Sequence, residues 1–250
     1  MAMDVAGRSH TGAVRDSNQD VVAWHVNENG SSALMVVADG MGGYQGGEIA
    51  SRMAVDVVME SLLPEFGATN GEVAGETIRA RLQVAFSVAN ERILDRRASE
   101  PRLDKMGTTL VAAWVKGNEV HVAHVGDSRC YLIRGGCATC LTRDDTVVQN
   151  MLEDGSITEA DVPNVPFRNV LTRAVGSMDP VEISYRSEHL QSGDNLLMCS
   201  DGLTNSVPEW TWKNVLNECS SIEDAAQALI DTALENQASD NVSVVLLTLD

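Results

Sequence analysis

Five aspartates stand beside runs of strand-forming residues. Asp39 follows Leu34–Ala38, Asp201 follows Leu196–Ser200, and Asp127 follows Val120–Val125 and one glycine. Asp20 precedes Val21–Val26, and Asp240 precedes Val242–Leu249. A single Asp-Gly or Gly-Asp is an ordinary turn dipeptide. Five aspartates in the same relation to strands say more, because a strand end delivers its residue to the rim of a sheet, where several rims can meet. Carboxylates gathered at such a rim, with water completing the shell, suit hard cations such as Mg2+ and Mn2+. Zinc is disfavoured, since no His pair or thiolate set accompanies them. His10, His25, His121, His124 and His189 fit no ligand spacing and read as structural or exposed.

Asp39 opens into Gly40-Met41-Gly42-Gly43, with Gly46-Gly47 beyond. Glycines let backbone approach an ion or phosphate closely, so the Gly40 carbonyl is itself a candidate ligand. No Gly-Lys-Ser/Thr follows, which excludes the phosphate loop of nucleoside triphosphatases. Cys199 lies beside Asp201 but lacks the loop and arginine of a cysteine phosphatase, and reads as a packed strand residue. Cys137 and Cys140 form a C-x-x-C behind Gly135-Gly136. That pattern reads as a hairpin, and residues three apart on a strand face opposite sides. The odd number of cysteines and the absence of a leader-like apolar segment in residues 1–10 point to free thiols in a reducing cytoplasm.

The elements that must position these residues come in blocks. Strands are expected at Asp4–Arg8, Val21–Val26 and Ala33–Ala38, then a helix over Glu48–Leu62 that Pro64 ends, and a second helix over Glu72–Arg97. A hairpin-linked group follows at Thr108–Val115, Glu119–Val125 and Cys130–Ile133. Residues 142–169 hold only a short helical piece, Asp145–Leu152, with Gly155, Pro163 and Pro166, and read as an ordered insertion over a site. Strands return at Val181–Ser187 and Asn195–Cys199, before a helix at Ile222–Leu234 and a last strand at Val242–Leu249. Antiparallel sheets packed face to face, with helices on the outer faces, would bury all of these apolar stripes.

The net charge is -18, from 36 acidic and 18 basic residues. Such a surface repels nucleic acid and anionic lipid, which need Lys/Arg patches. No run reaches the ~20 apolar residues of a membrane span.

The ordered motifs resemble those of the metal-dependent protein phosphatases of type 2C, most closely the short stand-alone bacterial members. They are Gly12-Ala13-Val14-Arg15 with Asn18-Gln19-Asp20; Val37-Ala38-Asp39-Gly40-Met41-Gly42-Gly43; Met106-Gly107-Thr108-Thr109; Val125-Gly126-Asp127-Ser128-Arg129; Leu141-Thr142; Arg168 to Gly176; Cys199-Ser200-Asp201-Gly202-Leu203; and Ser239-Asp240-Asn241. The resemblance spans about residues 4–249. It implies an α+β, four-layer α-β-β-α sandwich forming one catalytic domain over 1–250, with a flap at about 143–167. It implies two core ions, Mn2+ or Mg2+, and a weaker third. Asp39 would bridge the core pair, Asp201 and Asp240 would complete the first ion, and the Gly40 carbonyl would serve the second. Asp20 would hold waters on the second ion, Asp127 with Asp201 would take the third, and Arg15 would bind the phosphate.

The implied activity is hydrolysis of protein phosphoserine and phosphothreonine by a metal-bridging hydroxide attacking in line, without a covalent phosphoenzyme. The implied partners are phosphoproteins and a cognate serine/threonine kinase, with secretion-system regulation as one setting; a cytoplasmic monomer is expected. Two alternatives stand beside it: a catalytically silent regulatory module of the same fold, and a small-molecule phosphomonoesterase. Two positions depart from the pattern. Met41 stands where some members carry a histidine, and Asp144-Asp145 stands where Asp-His is frequent.

Overall fold

Alternation along the central strands builds the layers. The computed structural model describes residues 2–43, 45–68 and 74–249. Strand β3 (Ser32–Met41) is apolar on both faces, as a strand buried on both sides must be. Leu34, Val36 and Ala38 face helices α1 (Gly46–Ala68) and α2 (Gly75–Ser99), whereas Ala33, Met35 and Val37 face the second sheet. Ala112 and Trp114 of β5 (Leu110–Lys116) repeat the outward set, and Val111, Ala113 and Val115 the inward one.

The first sheet runs β2 (Asp20–Val26), β3, β5, β6 (Glu119–Val125), β9 (Ser184–His189), with the short β4 (Gly107–Thr108) beside β3. The second runs β1 (Met3–His10), β11 (Val242–Leu249), β10 (Asn195–Cys199), β7 (Arg129–Arg134), β8 (Cys137–Cys140). All pairings are antiparallel. A third apolar layer packs the second sheet against α4 (Asp201–Ser206), α5 (Glu209–Glu218) and α6 (Ile222–Glu235). The architecture is the expected α-β-β-α sandwich. Among the described residues no helix is long and apolar enough to cross a membrane.

Several expectations are corrected. Pro64 lies inside α1 and does not end it. The last turn continues because Phe66 stacks on Trp114 with centroids 4.9 Å apart and meets His25 edge-on, which offsets the lost backbone bond. The expected start of α2 at Glu72 lies outside the described residues. The strand expected over Thr108–Val115 is split at Thr109, whose N–H donates to the Asp39 carbonyl. Asp39 and Gly40 do not follow a strand; they are the third-last and second-last residues of β3, which runs on to Met41. β9 starts at Ser184, three residues later than expected. The short helix expected at Asp145–Leu152 is α3 (Val147–Glu153), and helices α4 and α5 are additional. The Gly135-Gly136 hairpin is as read: both glycines have positive φ, 57° and 81°, as a two-residue turn requires. In β8 Cys137 is exposed and Cys140 half-buried, and both are free.

Candidate active site

Asp20 and Asp39 are cross-strand partners in the β2–β3 register, so their side chains share one face of the sheet. Asp127 sits in the β6–β7 turn, Asp201 is the first residue of α4, and Asp240 immediately precedes Asn241 and β11. Asp39, Gly40, Asp127, Asp201, Asp240 and Arg15 all line one open cavity of about 1140 Å³. Asp20 is not on its wall. It is buried just behind, with Oδ2 accepting from the Ser200 and Ser243 hydroxyls at 2.7 Å each.

Local packing dictates the glycine after Asp39. A Cβ at Gly40 would collide with the Gly47 carbonyl and lie 2.8 Å from the Gln19 carbonyl. The strand end is therefore pressed against α1 and the 15–20 loop, and only glycine fits. The Asp39 peptide is tied on its other side. Its N–H donates to Thr109 Oγ1 at 2.9 Å, and its carbonyl accepts from Thr109 N–H and Thr108 Oγ1.

The electrostatics of the cluster are one-sided. Burial, then the charges of Asp20, Asp201, Asp127 and Asp240, hold the Asp39 carboxyl well above the usual carboxylate range. Burial pushes Asp20 to about 6 against the help of the two serine hydroxyls. Asp201 is raised to about 6 by burial and by Asp240. Asp127 is raised to about 7 by burial and then by Asp201, with Arg129 opposing. Like charges paired across strands and buried together are destabilising. Asp20 Oδ1 and Asp201 Oδ1 are buried without a hydrogen-bond partner, which is costly for a polar atom. Oxygen donors, excess negative charge and unpartnered buried carboxylate oxygens are what a hard dication would compensate, so the residues fit Mn2+ or Mg2+.

The acids reach this cavity from separate walls. Among the described residues no three His, Cys, Asp or Glu side chains close on one point as a ready-made cage. Asp240 is turned to Arg15, whose Nη2 donates to its Oδ2 at 2.8 Å, and its Oδ1 accepts from Asn241 N–H. The expected phosphate-binding arginine thus pairs with an expected ligand. The pair is half-exposed, and such ion pairs contribute only about 0–1 kcal/mol, so Arg15 and Asp240 hold each other only loosely.

The chain matches the Protein phosphatase 2C family over residues 6–238. The serine/threonine phosphatase stp of Listeria monocytogenes serotype 4b is 35% identical over 243 residues, 97% of this chain and 94% of that protein. The Streptococcus agalactiae serine/threonine phosphatase superposes with a TM-score of 0.90 at 31% identity, covering 99% and 100% of the two chains. The PstP catalytic domain solved in complex with two manganese ions gives 0.81 at 32% identity, covering 99% of each. This chain belongs to the protein phosphatase 2C family. It is a phosphoprotein phosphatase.

The phosphatase site has supports that no strand-end pattern announces. Asn241 clasps the first loop: its Oδ1 accepts from Gln19 N–H, and its Nδ2 donates to the Thr11 and Ser17 carbonyls, all at 2.8–2.9 Å. Ala13 N–H donates to the Ala238 carbonyl beside it. Asn241 is buried, so Asn241→Ala removes three sheltered bonds. At about 0.5–1.5 kcal/mol each, the expected loss is about 2–4 kcal/mol in a urea melt, and a shift under about 0.5 kcal/mol would show the clasp to be idle. Ser200 and Ser243 hold Asp20, and Arg129 makes a two-pronged bond to Asp144 at 2.7 and 2.9 Å. In the sequence Ser200, Asn241 and Arg129 stood only as motif neighbours of Asp201, Asp240 and Asp127, and Ser243 had no signal beyond its strand. Met41 lines the cavity and offers no acid.

Of the histidines, His121 and His124 are buried structural groups. His121 bonds the Tyr185 hydroxyl and His124 the Arg143 carbonyl. His10, His25 and His189 are exposed.

Proposed function

We propose that this protein phosphatase 2C releases phosphate from phosphoserine and phosphothreonine of proteins, using two divalent cations, Mn2+ or Mg2+, and a weaker third. The convergence of Asp39, Asp127, Asp201 and Asp240 with Gly40 and Arg15 on one cavity carries this reading. Asp39 would hold both core ions, Asp201 and Asp240 would complete one position, and the Gly40 carbonyl would serve the other. Asp20 contributes through its unpartnered Oδ1, oriented by Ser200 and Ser243. Asp127 with Asp201 would hold the third ion. When bound, such ions supply Lewis acidity to the phosphoryl oxygens and lower the pKa of a shared water, so hydrolysis runs in line with no covalent phosphoenzyme.

This chain's own residues bind and orient the ester. The Arg15 guanidinium, at the cavity mouth, offers a fork of donors that suits phosphate oxygens. The segment from 143 to 167 acts as the flap of a single catalytic domain, and Asn169 to Ala174 beyond it form one cavity wall. Val14, Phe167 and Val170 are exposed apolar side chains of the segments around that mouth. An apolar rim favours a polypeptide over a sugar or nucleotide phosphate. The physiological setting we infer is a cytoplasmic monomer opposing a serine/threonine kinase, with a secretion-system regulator among the candidate substrates.

The test is release of phosphate from a phosphothreonine peptide. Mn2+ is expected to support it and a chelator to abolish it; retained turnover in chelator would remove the metal reading. Arg15→Ala is expected to raise KM about tenfold or more, the loss of one charge-assisted bond of about 1.5–3 kcal/mol. Its kcat and Mn2+ affinity hold, because Asp240 is released rather than lost. An unchanged KM would take Arg15 out of phosphate binding.

A further inference from the structure

Asp145, at the position where the type 2C pattern often has histidine, is almost wholly buried, and its contacts join two walls of the cavity. Its Oδ2 accepts from Gly126 N–H at 3.0 Å, and its own N–H donates to the Gly126 carbonyl at 3.0 Å. One residue therefore grips both polar groups of the residue before Asp127. On its other side the Asp145 carbonyl accepts from Thr172 N–H at 2.8 Å, and Oδ1 pairs with Arg173 Nη1 at 3.3 Å. Arg143 Nη1 stands 3.7 Å from the same oxygen. Asp127, Thr172 and Arg173 all line the cavity. Arg173 is further fixed by the Ser184 hydroxyl and the Glu182 carbonyl.

A carboxylate buried this deeply costs several kcal/mol unless charge and hydrogen bonds compensate it. Here two guanidinium groups and a backbone N–H do so. A neutral side chain could cap Gly126 N–H alone, and a cationic one would face Arg143 and Arg173. The anionic residue is matched to both neighbours at once.

We propose that Asp145 is a positioning residue: it locks the Gly126–Asp127 turn to the Thr172–Arg173 wall and so sets where the Asp127 carboxylate stands for the weakest cation. This rests on the reading of Asp127 as a ligand of that cation. Residues behind a ligand change metal affinity by about 10–100-fold when removed. The Asp145 effect is accordingly confined to one of the ion positions, since Asp39 and Asp240 hang from β3 and the Asn241 clasp.

The experiment is Mn2+ titration of the full chain by calorimetry and by Mn2+ electron paramagnetic resonance, for wild type, Asp127→Asn, Asp145→Asn and Asp145→Ala. Asp145→Asn keeps an acceptor for Gly126 N–H and loses the charge paired with Arg173. It is expected to weaken only the weakest Mn2+ site, by about 3–10-fold, with Asp145→Ala weaker by about 10–100-fold. Should the alanine variant not fold, the asparagine variant decides alone. An unchanged weakest site in Asp127→Asn would remove the underlying ligand reading. A weakened site in Asp127→Asn with no change in the Asp145 variants, even if they melt earlier, would overturn this inference and leave that reading standing.

Discussion

In Asp39→Asn, turnover of a phosphothreonine peptide falls about a thousand-fold, several kcal/mol of barrier at 1.36 kcal/mol per decade, while the chelated protein melts at a higher temperature than wild type at pH 7.5. The two outcomes have one cause. Asp39 is half-buried at the cavity wall beside four other carboxylates, and desolvation and their charges raise its proton affinity, so as an anion it is the worst-placed charge of the cluster in the metal-free fold. Asparagine keeps the volume and removes the repulsion. The same charge is what a pair of dications sharing this carboxylate would need. A group whose folded pKa is raised loses its contribution to stability as pH climbs through that value, so the melting gain grows with pH and shrinks toward pH 5. Full activity in the variant removes Asp39 from the chemistry. A metal-free variant that melts earlier than wild type would mean that the repulsion is already relieved by something else in the fold.

The second large effect is the dependence of metal stabilisation on pH. Asp20 and Asp201, at about 6, and Asp127, at about 7, are raised from the ordinary aspartate value of 3.8. Between those limits the folded chain holds more protons than the unfolded one. Their favourable contribution is complete below about pH 4 and gone above about pH 7. Buried His121 and His124 have depressed values and work in the opposite direction, losing stability as pH falls below 6.5. The raw melting profile therefore mixes both. The difference between Mn2+-loaded and chelated protein cancels the histidines, which lie outside the cavity. That difference is expected to be small at pH 5.5 and larger by about 5–10 °C at pH 7.5, a few kcal/mol at about 2–4 °C each for a chain of this size. A Mn2+ shift of equal size at both pH values would mean that the ionised aspartates are not what the ion meets. Glu153, Asp154 and Asp161, whose carboxyls are lowered by hydrogen bonds, change charge at still lower pH and do not enter this window.

Local pattern carried most of the fold to the page. Near-continuous apolar runs marked β3, β5 and β11 because both of their faces are buried, and the Gly135-Gly136 pair placed a hairpin without any tertiary knowledge. Long-range packing is what local pattern omits. Phe66 on Trp114 carries α1 past Pro64, a contact across 48 residues that no window contains. Helices α4 and α5 were missed because Thr204, Asn205, Ser206 and Pro208 are poor helix formers, and α5 buries only Trp212.

At the site, the ligand candidates were visible because an aspartate at a strand end has a local signature. Their supports were not. Ser200 and Ser243 reach Asp20 from 180 and 223 residues away. The Arg15–Asp240 pair joins residues 225 apart. Asp145 could be seen as a departure from a motif, but its grip on Gly126 exists only once the chain has folded back.

The Asn241 clasp, with β1 laid along β11, ties the order of synthesis to the onset of catalysis. A ribosome releasing this polypeptide exposes Arg15, Asp20 and Asp39 early, yet β1 lacks its sheet neighbour β11 and the 11–19 loop lacks its bonds to Ala238 and Asn241 until residues 238–249 have left the exit tunnel. An internal stop codon shortly before Asp240 is therefore expected to leave a protein that holds most of its acids but releases no phosphate from a phosphothreonine peptide.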